Sequence, residues 1–395
     1  MGSHVVRECR RLGWEAVVFD NFSTGHPRAV RGVECVTGDL LDPRSIRSAF
    51  ENFRFDGVIH TGTKGSGEAS LSQPAESYRN NVAGTLQLVH AMLEADVSSL
   101  VFSSSAVVYG APVEIPIPET HETHPLTPFA HGMLMVERCL ADISSSQDLR
   151  YASLRYFSAA GADRSGDIGE NPNPANGRDG ESWISQLVGA ALGESGPVSV
   201  GRAEYDTPDG SPVRDFLHVS DVALAHLHAF AALEEQPNQV LNVSGSEGYS
   251  LSEIVQEFET IIGQPVPTVE GDVDPSKGAA LVASNDKIRA LTDWRPYSSD
   301  LHTILESAWN WRRENPQGYP EMTSAGEGAQ LFGDLAIRLG FITSQDVEKA
   351  LERQRREREA GNQHKLIGVH MLEMGLLSTS QLIEILRHYE GRSAE

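Results

Sequence analysis

Glycine and acidic residues near the start of the chain are spaced as in a dinucleotide-binding site. Gly2 precedes a predicted helix, and a glycine at a helix N-terminus lets the backbone amides approach a pyrophosphate. Asp20 lies 18 positions later, at the end of the next predicted strand, where a carboxylate accepts hydrogen bonds from ribose hydroxyls. Asp39 and Leu40 follow the next strand, where an adenine would lie. Alone this is a weak signal, because Gly2 could come from an expression vector and Asp20 could serve only a turn.

The elements that would position these residues alternate between short β-branched runs and helical patterns, which predicts a parallel sheet covered by helices. The predicted strands are residues 15–20, 34–37, 57–61, 99–103, 152–157 and 240–243. The predicted helices are residues 3–12, 43–52, 80–94, 134–143, 219–233 and 251–262. Residues 163–181 are rich in Gly, Asn, Pro and Asp, which predicts a long loop of the kind that usually has a function.

Length and composition indicate a globular protein of about two domains and exclude several function classes. Nearly all of the formal net charge of −23 falls within residues 1–328, which argues against nucleic acid because its binding depends on basic surfaces. No apolar run approaches the roughly 18 residues that a membrane span needs. The three scattered cysteines predict neither a disulfide framework nor a metal site, and they favour a reducing cytoplasm.

Longer motifs over residues 2–321 resemble those of one protein family. They read GSHVV at 2–6, DNFSTGH at 20–26, NNVAGT at 80–85, FSSSAVVYG at 102–110, LRYF at 154–157, AAGA at 159–162, TPDG at 207–210, VRDFLHV at 213–219 and PQGYP at 316–320. In these motifs the chain is similar to the extended short-chain dehydrogenase/reductases and, more narrowly, to the UDP-glucose 4-epimerases.

The resemblance implies a Rossmann-type, doubly wound α/β domain over residues 1–321 that binds NAD, with a smaller α/β substrate-binding part mainly at 158–215 and 246–300. The cofactor-binding residues it implies are Gly2, Asp20, Asn21, Asp39, Leu40, Lys64, Asn81 and Ser103. The substrate-binding residues it implies are Ser105, Ser158, Arg202 and Arg214. A UDP-sugar is the implied substrate, a homodimer is the common assembly of the family, and no metal is implied.

Family members begin with a strand and a Gly-x-x-Gly-x-x-Gly turn, whereas Gly2 of this chain matches the third of those glycines. The strand that is missing would lie in the middle of the sheet, so its loss would leave two neighbouring strands with unpaired edges. We therefore expect an in-frame extension upstream of Met1, with an apolar strand and two further glycines in roughly 9–15 residues.

The resemblance also implies a catalytic centre, and this chain lacks its proton-transferring side chains. The family takes the proton of a sugar hydroxyl with a Tyr whose pKa is lowered by a Lys four residues later, beside a Ser or Thr hydroxyl. Ser105 matches that hydroxyl, but Phe129 and Met133 stand at the positions of the Tyr and the Lys. His131 is a conceivable base, although two positions beyond Phe129 it falls on another face of the helix.

The substrate pocket departs from the family as well. Ser158 replaces an Asn, and Gly201 stands where a Phe would stack on uracil. Arg214 matches a diphosphate donor, but a second phosphate-binding Arg is absent, with Lys277 or Arg202 as the alternatives. Three interpretations stay open: an inactive relative that still binds NAD, an active epimerase with an unusual base, and an interaction protein that no longer binds nucleotide.

A C-terminal all-α module is predicted at residues 329–395, after a linker at 322–328. Leu331, Gly333, Gly340, Thr343, Val347 and Leu351 recur 35 positions later as Leu366, Gly368, Gly375, Ser378, Leu382 and Leu386. The module weakly resembles the N-terminal repeats of type II secretion and type IV pilus ATPases, some of which bind cyclic di-GMP. The Arg implied for that ligand is absent, because Leu331 and Leu366 occupy its positions. A docking site for a protein partner is therefore favoured over cyclic di-GMP binding and over simple packing against the nucleotide domain.

Overall fold

A computed structural model shows two compact units, Met1–Tyr319 and Pro320–Glu395. The structure describes residues 1–65, 67–172, 182–201, 205–271, 279–319, 336–337, 339–359 and 367–390. The predicted linker, Arg202 and Lys277 lie outside the described residues. Within them, no helix has the length and apolar character that crossing a membrane requires.

The first unit contains all six strands and all six helices that the sequence predicts, with ends that differ by at most six residues. Its strands are β1 Val17–Asp20, β2 Glu34–Thr37, β3 Val58–His60, β4 Ser99–Ser105, β5 Arg150–Tyr156, β6 Ser158–Ala160, β7 Val198–Ser199, β8 Val213–Arg214, β9 Phe216–His218, β10 Gln239–Val243, β11 Tyr249–Ser250, β12 Thr268–Val269 and β13 Ala280–Leu281. Its helices are α1 Gly2–Arg11, α2 Pro43–Asn52, α3 Gly67–Ser72, α4 Pro74–Tyr78, α5 Gly84–Glu94, α6 Pro128–Ser144, α7 Trp183–Ala191, α8 Val219–Ala232, α9 Leu251–Ile262, α10 Asp286–Leu291 and α11 Leu301–Glu314.

The central sheet is parallel and has the strand order β10-β5-β4-β3. β1 and β2 form a separate parallel pair, and among the described residues β1 pairs only with β2 and β3 only with β4. In an open parallel sheet, ligands bind outside the carboxyl ends of the strands. The carboxyl ends of β1, β2 and β3, together with the loops that follow them, hold most of the residues expected to bind the dinucleotide.

Helix α6 begins at Pro128, six residues before its predicted start at Leu134. Thr127 is extended and accepts a hydrogen bond from the Ala130 amide on its hydroxyl at 3.2 Å, while Pro128 occupies the first helical position. The prediction missed this turn because Gly132 has a low helix propensity and interrupts the apolar pattern. The longer helix carries both positions expected to catalyse proton transfer.

The main core lies between the central sheet and its helices, and its largest side chains are fully buried. It includes Leu100, Phe102, Met133, Leu140 and Leu154. Burial of these apolar surfaces is the main favourable contribution to folding in this part of the unit.

Inside this core, a buried ion pair joins α6 to β5. Arg155 Nη2 lies 2.6 Å from Glu137 Oε2, and both side chains are less than a tenth exposed. The hydroxyl of Ser104, on β4, donates to Glu137 Oε1 at 2.5 Å. The Arg155 guanidinium also lies 4.9 Å from the centre of the Tyr109 ring. One carboxylate therefore connects the helix to both central strands.

The smaller part of the first unit combines short strands with three helices. β8 pairs with β11 and β13, β7 with β12, and β6 with β9. A second hydrophobic core lies among α7, α9 and α11, and it includes Ile184, Leu187, Ile254, Phe258 and Leu305. This packing supports the strands on which Ser158 and Arg214 lie.

The described part of the second unit contains α12 Ser344–Glu359, α13 Ile367–Glu373 and α14 Thr379–Glu390. Its apolar core includes Ala336, Val347, Ala350, Met371 and Ile385. Of the repeat positions singled out in the sequence, Leu331, Gly333 and Leu366 lie outside the described residues.

The two copies of the repeat share their turn and cap geometry. Gly340 and Gly375 have φ angles of 71° and 68°, a left-handed conformation that favours glycine after a helix. Each glycine precedes a capped helix start, in which a hydroxyl donates to a side chain three residues later. The pairs are Thr343 with Asp346, at 2.7 Å, and Ser378 with Gln381, at 2.9 Å.

Candidate active site

The loop after β1 is tied to the loop after β2 through side chains expected to contact adenosine. Asp20 Oδ1 accepts a hydrogen bond from the Phe22 amide at 2.7 Å. Asn21 Nδ2 donates to Asp39 Oδ2 at 2.9 Å, and the Leu41 amide donates to Asp39 Oδ1 at 2.8 Å. These two donors, the Leu41 amide first, hold the pKa of Asp39 below its usual value. The structure thus bonds Asn21 to Asp39, while the neighbouring Asp20 carboxylate is bonded within its own loop.

The start of α1 and the loop after β3 lie close together. A Cβ atom added to Gly2 would lie 2.8 Å from Thr61 Oγ1, so a side chain at this position would displace the Thr61 hydroxyl. Asn81, in a π-helical turn before α5, accepts from the Lys64 amide at 2.7 Å and donates to the Lys64 carbonyl at 2.9 Å. Leu40 lies half-buried beside the first residue of α5. The side chain of Asn81 therefore fixes the backbone that carries the exposed Lys64 side chain.

The two positions at which the family has its Tyr and Lys differ in their surroundings. Phe129 is half-buried, and its amide donates to the Ser70 hydroxyl at 3.1 Å. Met133 is fully buried in the main core. Ser105 ends β4 with a half-buried side chain. His131 is exposed, and its Nδ1 lies 2.9 Å from the Thr127 carbonyl, within the first turn of α6.

Ser103 forms a buried hydrogen bond that sequence analysis did not foresee. Its hydroxyl lies 2.6 Å from His226 Nε2, and both residues are at most 1% exposed. His226 Nδ1 lies 2.8 Å from the Val222 carbonyl, so Nδ1 carries the proton and Nε2 accepts from Ser103. Burial lowers the pKa of His226 to about 4. A single histidine in an apolar helix carries no spacing signal, which is why this contact was missed.

The residues expected to bind substrate lie where β6 and β8 meet the smaller core. The Ser158 amide donates to the Asp215 carbonyl at 3.1 Å, and Arg214 Nη1 donates to the Val213 carbonyl at 2.8 Å. The Asp215 carboxylate is buried, and burial raises its pKa to about 7. Gly201 has a φ angle of 87°, a conformation in which a Phe would be strained.

Comparison with known proteins identifies the family. A model of the NAD dependent epimerase/dehydratase family matches residues 1–244. The UDP-glucose 4-epimerase of Halalkalibacterium halodurans is 36% identical over 321 residues, which cover 81% of this chain and 94% of that protein. The crystal structure of the Brucella ovis UDP-glucose 4-epimerase in complex with NAD has a TM-score of 0.74 at 35% identity, covering 78% of this chain and 94% of that one. The chain belongs to the UDP-glucose 4-epimerase family.

A second solved structure of the family supports the same fold. The Bifidobacterium longum UDP-glucose 4-epimerase, solved in complex with NAD+ and UDP, has a TM-score of 0.74 at 31% identity, covering 80% of this chain and 96% of that one. These matches confirm the predicted family and the predicted Rossmann-type α/β fold. The helical module at 329–395 lies beyond the residues that the family model matches.

Measured against the chemistry of the epimerase family, the two halves of the site differ. The half at the ends of β1, β2 and β3 offers a close backbone approach at Gly2 and the hydrogen-bonded carboxylates Asp20 and Asp39, so its residues fit the adenosine half of NAD. The other half consists of Ser105 at the end of β4 and of the first turns of α6, and it offers one hydroxyl, an aromatic hydrocarbon and a buried thioether. Among the described residues, no three His, Cys, Asp or Glu side chains are grouped as a metal site would require.

Titration of the buried His226 is expected to lower the free energy of unfolding as the pH falls from about 6.5 to about 4. Its pKa is about 4 in the folded chain, whereas the unfolded chain takes up a proton near 6.5. The stabilisation is complete above pH 6.5 and is lost as the pH approaches 4, by about 3 kcal/mol in total. Urea titrations at several pH values would measure it.

The matched variants are His226→Gln, which keeps an acceptor for the Ser103 hydroxyl, and Met92→Leu, a neutral change in the same core. His226→Gln should flatten the pH dependence by that amount, while Met92→Leu should shift stability equally at every pH. A His226→Gln profile that runs parallel to the parent profile would contradict the assignment.

Proposed function

We propose that this chain keeps the dinucleotide-binding frame of the UDP-glucose 4-epimerases but does not itself catalyse 4-epimerisation. One observation carries the proposal: Met133, at the position of the family's Lys, is fully buried in an apolar core. An ammonium group in such a core would lose its hydration, which is unfavourable unless a polar partner replaces the water. The thioether therefore completes the core where the family has a charge.

Proton transfer is the step that these substitutions remove. A general base must be ionised near neutral pH and must lie within hydrogen-bond reach of the reacting hydroxyl. Phe129 keeps an aromatic ring but has no ionisable proton, and Met133 supplies no charge to lower a neighbouring pKa. Ser105 can donate or accept a hydrogen bond, yet a lone hydroxyl is too weak a base for this role.

NAD is the proposed cofactor, since the family is NAD dependent and its binding residues are retained. The residues that would hold it are Gly2, Asp20, Asn21, Asp39, Leu40, Lys64 and Asn81, with Ser103 supporting β4 from within the core. When bound, NAD supplies a hydride acceptor. The clustering of Asn21 with Asp39, and of Asn81 with Lys64, supports a preformed site for its adenosine half.

A UDP-sugar is the proposed ligand of the second half of the site, in which Arg214 is the donor to its diphosphate. The Bifidobacterium longum relative was solved with UDP. Ser158 in place of an Asn and Gly201 in place of a Phe remove contacts that the family makes to the sugar and to the base, so we expect weaker binding than in that relative. A cytoplasmic location fits the three cysteines, none of which forms a disulfide.

An active epimerase with an unusual base is the second candidate function. His131 and Lys64 are the residues to test for it. His131 is exposed at the start of α6, and its ring nitrogen is engaged by the Thr127 carbonyl. The Lys64 side chain is exposed beside the Asp39 carboxylate. Neither arrangement favours removal of the proton from a sugar hydroxyl that is bound at Ser105, which is why this candidate ranks second.

The purified chain is expected to convert neither UDP-glucose nor UDP-galactose above background. Loss of a positioned base alone costs about 10²–10⁴ in rate, and loss of its charged partner adds to this non-additively. NMR of the sugar anomeric and C4 signals measures the conversion directly. Phe129→Tyr combined with Met133→Lys should recover at most a trace, because Ser158 and Gly201 remain. Ordinary turnover by the unmodified chain would contradict the proposal and make His131 and Lys64 the next targets.

We further propose a homodimer through an open apolar groove between α5 and α6. Tyr78, Val82, Leu86 and Met135 line this groove, and Met135 is 45% exposed. Light scattering should report a dimer for the parent chain and a monomer for Leu86→Glu, since the charge would be buried in the interface. A monomeric parent chain would contradict the assembly, and Val113→Glu, at a 95% exposed site elsewhere, serves as the control.

A protein partner is the proposed ligand of the module at 329–395. Its nearly balanced charge and the exposed apolar side chains of Val369 and Ile383 support a docking role. Calorimetric titration of the full chain with cyclic di-GMP tests the alternative ligand. We expect no heat of binding, because guanidinium donors to the phosphates are absent from Leu331 and Leu366, and micromolar binding would contradict the docking role.

A further inference from the structure

The last residue of the first unit stacks on the loop that follows Asp20. The rings of His26 and Tyr319 lie with their centres 5.0 Å apart and their planes at 11°. His26 closes the loop at 21–26, here called the ribose-binding loop because it follows Asp20, the residue expected to bind the ribose of NAD. The chain continues from Tyr319 into the second unit.

The His26 ring is rigidly connected to the ribose-binding loop. Its Nδ1 accepts a hydrogen bond from the Arg28 amide at 3.2 Å, which caps the short 3₁₀ helix Pro27–Val30. Directly before His26, a Cβ atom added to Gly25 would lie 3.1 Å from Asp20 Oδ2, at the start of the loop. The loop is therefore compact between the carboxylate and the ring, so a displacement of the ring displaces the backbone around Asp20.

Tyr319 is held independently of His26 by the loop at 163–172. The Gly169 amide donates to the Tyr319 hydroxyl at 3.1 Å, and the Tyr319 amide donates to Asn171 Oδ1 at 3.1 Å. The Trp311 ring centre lies 5.1 Å away on α11. With these contacts around it, the Tyr319 ring is a fixed platform for the histidine.

The same 163–172 loop also anchors α1, the helix that begins at Gly2. Arg7 Nη2 lies 3.2 Å from Asp167 Oδ2, and Arg11 Nη2 lies 3.0 Å from Asp163 Oδ2, whose side chain is fully buried. Two elements are assigned to the adenosine half of the dinucleotide, α1 and the loop after β1. Both are held by the 163–172 loop, α1 directly and the loop after β1 through Tyr319. Tyr319 contacts both the 163–172 loop and the ribose-binding loop.

We propose that Tyr319 is a positioning residue for the dinucleotide, acting through its stack on His26. The proposal rests on NAD binding as the proposed function. By linkage, NAD bound at Asp20 also strengthens the docking of Tyr319, and the two effects are equal in size. Binding of NAD is therefore coupled to the position of Tyr319, the last residue of the first unit.

The test is NAD affinity, measured by calorimetry on the full chain and its variants. An aromatic stack of this kind is worth a change of about two- to tenfold in a binding constant. His26→Ala and Tyr319→Leu should each weaken NAD binding by that factor, and the double variant should be no weaker than Tyr319→Leu alone. Tyr319→Phe, which keeps the ring, should restore most of the affinity.

The control is Trp309→Leu on α11, which removes an aromatic contact with Phe258 of α9 within the second core. It should lower the free energy of unfolding and leave NAD affinity unchanged. Tyr319→Leu with parental affinity and reduced stability would overturn the positioning role, and so would additive losses in the double variant. A parent chain that binds no NAD would overturn the proposed cofactor site and this role together, whereas binding that is the same in all variants overturns this role alone.

Discussion

The ion pair between Glu137 and Arg155 is the interaction on which the geometry of the candidate site depends. It is buried, and Ser104 donates to the same carboxylate, so α6, β4 and β5 are joined at one point. Removing one member of such a pair leaves an uncompensated charge in a low-dielectric interior, which is why paired burial constrains the helix strongly. The positions of residues 129 and 133 follow from that constraint.

Because α6 is fixed in this way, the chemistry available at positions 129 and 133 depends on which residues stand there and not on a shift of the helix. This frame places Phe129 in the first turn of α6 and Met133 in the main core. The adenosine half has the opposite character, since Asn21 bonds to the Asp39 carboxylate and Asn81 bonds to the backbone of Lys64. This contrast between a polar half and an apolar half is the basis of our proposal that the chain binds the dinucleotide without transferring the proton.

Sequence reasoning was strongest where a signal is local. The strand Glu34–Thr37 and the helices Pro43–Asn52 and Leu251–Ile262 have the predicted ends, since a turn or cap residue stands beside each. The 35-residue repeat anticipated matching glycine turns and hydroxyl caps, and both are present at Gly340 and Gly375. A pattern of residue types is enough for features that a few neighbouring residues determine.

Contacts between distant residues could not be predicted in this way. The bond between Ser103 and His226 joins residues 123 positions apart, and the stack of His26 on Tyr319 joins opposite ends of the first unit. The family resemblance located Phe129 and Met133, but only the structure shows that Met133 completes an apolar core. The burial of Met133 depends on how α6 is fixed to the sheet, and the spacing of residues along the chain does not indicate it.

The most direct test of the account is a single experiment on the full chain, in which NAD binding and NAD reduction are followed together. The chain is loaded with NAD, binding is verified by calorimetry, and UDP-glucose is added while NADH fluorescence is recorded. The account predicts saturable NAD binding with no NADH formed, because hydride transfer from the sugar requires removal of the hydroxyl proton. NADH that appears on addition of UDP-glucose would contradict the account.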